Sequence, residues 1–159
     1  MKLNIKILLV AIIGFCFSEL NAQQPPNFNA IKSAGIIKYD SKKVIKKLKI
    51  SEDSIKMEIT KHIHACNIEM DNLLLLHSNT LEDLDEEFDR NVKIAFQNRD
   101  RNQMNGVKAK IKQIIPPIRY EVYEHGKVLN EAMAELLSEK QNKKWLIYQK
   151  RIKPSNNDF

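Results

Sequence analysis

From residue 55 to residue 95 apolar or seam-compatible side chains recur in steps of three or four: Ile55, Ile59, Ile63, Cys66, Met70, Leu73, His77, Leu81, Leu84, Phe88, Val92 and Ala95. That period lines one stripe of an α-helix. No proline or glycine interrupts it, so the pattern predicts one helix of about 45 residues, roughly 70 Å long at 1.5 Å per residue. Ser78, Asn79 and Thr80 are the one place where it could break, and continuity is expected. A second seam runs through Val107, Ile111, Ile114, Ile118, Val122, His125, Leu129, Ala132 and Leu136. Pro116 and Pro117 lie inside it. They predict a kink or a short break, since each removes a backbone donor, but the period continues beyond them and argues against a domain boundary. The polar stretch 98–106 is where the chain reverses, with Asp100 and Gln103 at capping-box spacing for the following helix.

Shorter elements flank these two. Asp40 or Ser41 can cap a helix running to about Leu48. Ser51 is expected to open the first long helix, with Glu52 and Asp53 favouring the positive end of its dipole. Ser138 is expected to open the last helix, with Gln141 reaching back to the cap's own N–H, and Trp145, Leu146 and Tyr148 giving that helix an apolar surface. Residues 23–35 are polar at first and contain Pro25 and Pro26, and are expected as a disordered leader; 36–153 form the helical domain and 154–159 a disordered tail. The fold class that follows is all-α: an elongated antiparallel helical hairpin with short flanking helices. A narrow stripe cannot be covered by its own helix, so the seams must pack on each other or on a second subunit, and a homodimer is expected.

The beginning of the chain follows another pattern. Met1, Lys2 and Lys6 precede an uncharged apolar run from Ile7 to Phe17. A stable bilayer span takes roughly 20 residues, so this run is too short for one and suits the core of a signal peptide. Cleavage after Ala22 would remove 1–22, leave no stable membrane span, and place the protein in the periplasm or outside the cell. The whole chain has 26 basic and 20 acidic residues, a net charge of +6. The charges are interspersed rather than blocked, and export argues against nucleic acid; unfolded or envelope proteins and anionic surfaces are the expected partners.

Candidate chemistry is sparse. His62 and Cys66 are four residues apart on one helix face and Met70 extends the row, a donor set that suits a transition metal. Cys66 and Met70 also belong to the apolar seam, where both are ordinary core residues. His77 and His125 fall on the two seams and would need partners or would face each other. The stretch 82–89 is acidic but has no glycine turn of the kind a Ca²⁺ loop uses. Lys42, Lys43, Lys46 and Lys47 flank Val44 and Ile45, a pattern suited to holding an acidic client chain or an anionic surface. No spacing supports a nucleophile with its base, so neither an enzyme nor a required cofactor is expected.

Two segments share a form. Leu137-Ser138-Glu139-Lys140-Gln141 resembles the Leu-Thr-x-x-Gln motif of the Spy/CpxP family of envelope proteins, with Ser in place of Thr, and Ile50-Ser51-Glu52-Asp53-Ser54 is a more distant copy lacking the final glutamine. In that family the motif also occurs twice and brackets the long helices. The resemblance implies a cradle-shaped helical dimer acting as an ATP-independent chaperone or stress-response modulator. A related branch senses transition metals, which makes a metal sensor or buffer using His62 and Cys66 the alternative.

Overall fold

The computed structural model describes residues 27–100 and 102–152. The expected signal peptide, the start of the leader and the tail at 154–159 lie outside them. Among the described residues there are five helices and no strand: α1 (Ala30–Ala34), α2 (Ser41–Leu48), α3 (Asp53–Asn98), α4 (Gln103–Leu136) and α5 (Glu139–Ile152). None of them is long and apolar enough to cross a membrane.

α3 is continuous over 46 residues. Ser78 does not break it; its hydroxyl donates within the helix to the Leu75 carbonyl one turn back, at 3.0 Å. The seam is buried at Ile59, Ile63, Cys66, Met70, Leu73, Leu81, Leu84, Phe88 and Val92. α4 also runs unbroken through Pro116 and Pro117. The carbonyls that those prolines leave without a helical donor belong to Lys112 and Gln113, both exposed, where water can serve them. Within α4 the buried stripe takes Ile115 and Met133; Ile114 and Ala132, expected in the seam, are only half-buried.

The two long helices pack antiparallel. Glu69 meets His125, His77 meets Glu121 and Glu87 meets Lys110, so residue numbers fall along α4 as they rise along α3. Two apolar clusters hold the hairpin. The one near its open end joins Ile59, Ile63, Cys66, Met70 and Leu73 of α3 to Leu129 and Met133 of α4, and α2 and α5 cover it with Val44, Leu48 and Trp145. The one toward the turn joins Leu81, Leu84, Phe88 and Val92 to Val107, Ile111, Ile115 and Ile118.

The segment from Phe28 to Tyr39 corrects an expectation. Its first residues were to belong to a disordered leader, yet they are docked lengthwise on the hairpin. Asn29 caps α1 by accepting from the Lys32 N–H, and Gly35 ends it at a φ of 79°, a left-handed conformation that glycine adopts without strain. The Phe28 ring lies 4.9 Å from that of Phe88, and Ala30 and Ala34 are fully buried, their small side chains letting the backbone approach closely. The Ala30 N–H donates to Asp85 at 2.7 Å, and Arg119 Nε donates to the Ser33 carbonyl at 2.6 Å. Burial raises the Asp85 carboxyl above its ordinary range even though that N–H opposes the shift. Lower down, the Asn67 amide accepts from Tyr39 N–H and donates to Tyr39 C=O, both at 2.8 Å. The chain thus forms a strap across both long helices.

Candidate functional site

Period dictates the outer face of α3 as firmly as the inner one. Residues half a turn away from the buried stripe include Met57, Lys61, His64, Ile68, Asp71 and Leu75, in alternating steps of four and three. Met57 is 66% exposed, Ile68 44% and Leu75 78%. These are large apolar side chains that no element covers among the described residues, set along about 27 Å of helix. Lys56, Lys61, Thr60 and His64 line a shallow depression around Met57. Leu76, Tyr120, Tyr123 and Val128 are also exposed. An open groove lies elsewhere, between the far halves of α3 and α4. It is polar, lined by Asp83, Glu86, Glu87, Arg90 and Lys110 among others, and is bridged by the 2.6 Å Lys110–Glu87 ion pair. It gathers no nucleophile with a base.

The three residues considered for a metal stand in different surroundings. His62 is half-buried, with Nε2 3.9 Å from Glu58 one turn earlier. Cys66 and Met70 are buried in the cluster that joins α3 to α4, α2 and α5. The four-residue spacing was right, but the hairpin claims the Cys66 side of the row for packing. Among the described residues no group of three or more His, Cys, Asp or Glu could hold a metal ion. His77 and His125 do not face each other; each takes a glutamate from the opposite helix, Glu121 at 3.3 Å and Glu69 at 4.0 Å.

The two motif copies differ. At the second, Ser138 N–H and Oγ both donate to Gln141 Oε1, at 3.0 and 2.8 Å, and the Ser138 carbonyl accepts from Asn142 N–H. The glutamine reaches back as expected, while the serine hydroxyl donates rather than accepts. At the first, Ser51 does not open the helix. The Glu52 carbonyl takes the first helical bond, from Lys56 N–H, and Ser54 Oγ donates to the Glu52 side chain at 2.9 Å. Without a glutamine to draw Ser51 into a cap, the helix starts one residue later.

Lys42, Lys43, Lys46 and Lys47 are all exposed on α2, whose Val44 and Leu48 are buried. Sequence reasoning missed the strap contacts of Asn67, Asp85 and Arg119. Asn29 and Gly35 at the two ends of a short apolar stretch were the available signal for a capped helix there. Comparisons with family models, curated proteins and solved structures found no match.

Proposed function

We propose that this protein is an exported, non-catalytic binder of other polypeptides, holding unfolded or envelope proteins in the periplasm as the resemblance to the Spy/CpxP family implies. The supporting observation is the uncovered apolar row of Met57, Ile68 and Leu75 on the outer face of a long, well-anchored helix, with Lys56 and Lys61 beside it. Apolar segments of a non-native chain would shed water against the row, and the lysines would speed the approach of acidic clients. The test is suppression of aggregation of a chemically denatured enzyme by stoichiometric protein. Suppression is expected, and Met57→Glu with Leu75→Glu should abolish it without lowering stability, because both side chains are exposed. No suppression by the parent protein at low salt would reject the reading.

One observation favours a second occupant of the same row, another copy of this chain. Laid antiparallel about a two-fold axis at residue 66, the row is self-complementary: Met57 meets Leu75, Lys61 meets Asp71 and His64 meets Ile68 of the other copy. A solution mass of two chains, with Lys61→Cys and Asp71→Cys in one chain cross-linking between copies, would assign the row to a homodimer. A monomeric mass leaves it open for clients.

A further inference from the structure

The two short helices at the open end of the hairpin share a feature that neither long helix has. α2 with its caps Asp40 and Lys49, together with α5, carries ten cationic side chains and two carboxylates, Asp40 and Glu139, in a chain whose net charge is +6. The rest of the molecule is therefore net negative, and the positive charge is collected at one end. It is collected there by folding. α2 and α5 are 90 residues apart in the chain; Val44 and Leu48 of α2 share one apolar cluster with Trp145 of α5, and just before α2 the Tyr39 ring packs on Trp145 at 5.1 Å and its hydroxyl accepts from Gln149 Nε2 at 3.1 Å. Lys43 and Lys143 pair with Asp40 and Glu139. The other exposed cations of this end have no carboxylate within ion-pair distance among the described residues.

The outer face of α5 adds a second character. Trp145 is fully buried and Gln149 nearly so, which fixes the helix in rotation. Ile147, 51% exposed, then lies opposite Trp145, and Leu146, 44% exposed, lies on the flank between; they are one turn from Lys143 on one side and from Lys150 and Arg151 on the other. Aliphatic side chains framed by long cationic ones match the boundary of a bilayer: the aliphatic groups enter among the acyl chains, and the ammonium and guanidinium groups reach up to the phosphates. Nucleic acid fits less well, since the aromatic rings at this end are turned inward and offer no stacking surface. The acidic run at 82–89 lies about 30 Å further along α3, so an anionic surface would repel it and orient the hairpin.

We propose that the end built by α2 and α5 docks on an anionic phospholipid surface, with Leu146 and Ile147 at the contact. This stands apart from the row on α3 and from whatever occupies it.

The test is co-sedimentation of the full chain with vesicles of phosphatidylcholine alone and of phosphatidylcholine with about one-third phosphatidylglycerol. The apolar run at 7–17 can insert whatever the head-group charge, so the quantity read is the ratio of the two affinities. A preference of about tenfold or more for anionic vesicles is expected, falling steeply with salt. Lys143→Glu with Lys150→Glu should remove that preference, and Leu146→Ser with Ile147→Ser should weaken anionic binding, both with unchanged melting temperature and unchanged suppression of aggregation. Equal affinity for the two vesicles overturns the proposal, as does an anionic preference that survives the lysine reversals, or duplex DNA bound more tightly than anionic vesicles.

Discussion

His77 Nε2 on α3 lies 3.3 Å from Glu121 Oε2 on α4, at the level where the apolar cluster near the open end stops at Leu73 and the one toward the turn begins at Leu81. The pair is a polar rung between two greasy ones. The imidazole is four-fifths buried and the carboxylate less so. A partly solvated hydrogen bond contributes little by itself, so Glu121→Ala should cost about 1 kcal/mol or less. His77→Leu extends the seam and should be neutral or stabilising. Denaturant melts of the two variants measure this, and a loss above about 3 kcal/mol for either would mean that the rung is required for packing.

Trp145 is the sole tryptophan and is fully buried, its indole N–H donating to Asn130 Oδ1 at 2.9 Å. Trp145→Ala should cost about 3–5 kcal/mol, the usual range for emptying such a site. The same residue makes a reporter. Intrinsic tryptophan emission should shift to the red when α5 detaches, in one transition with loss of helical circular dichroism if α5 folds together with the hairpin.

The unequal motif copies give a matched pair of variants. Gln141→Ala removes the acceptor of two Ser138 donors and should lower stability by about 0.5–2 kcal/mol. Ser51→Ala should change it by less than about 0.5 kcal/mol, because Ser51 makes no cap. Equal costs in thermal melts would mean that both serines cap alike.

Burial pushes the Tyr39 phenol from 10.0 up to about 12, while the hydrogen bond from Gln149 opposes the shift. The folded protein therefore holds this proton more tightly than the unfolded chain does. The resulting stability is complete below pH 10, drains as pH rises from 10 toward 12, and is gone above that. Two pKa steps correspond to roughly 2–3 kcal/mol. Tyr39→Phe should flatten this alkaline slope in urea melts taken between pH 9 and pH 12; an unchanged slope would place the titrating group elsewhere.

The hairpin was legible in the sequence because both seams keep a helical period over many turns, and burial of one face is all that such a period encodes. α2 was legible to within a residue: Asp40 or Ser41 could cap it, and the structure takes Asp40 and ends the helix at Leu48, where Lys49 turns left-handed. Ile114 and Ile115 show where periodicity stops deciding: adjacent apolar residues fit the stripe nearly equally, and the facing helix chooses between them. The surroundings of the metal row were hidden for a similar reason, since spacing places His62, Cys66 and Met70 along one helix but cannot say that the core will cover Cys66 and Met70. The strap was hidden because its hydrogen bonds join residues 55 and 86 positions apart, which no local pattern records.

That separation bears on the order of assembly. The two long helices are joined by a tight connection and can zip together from it, whereas the strap must find its groove after the groove exists. Folding should thus have a rapid phase that builds the rods and a later latching phase carried by Phe28, Arg119 and Asn67. In its unlatched interval the molecule would bare a second greasy channel, between the rods themselves.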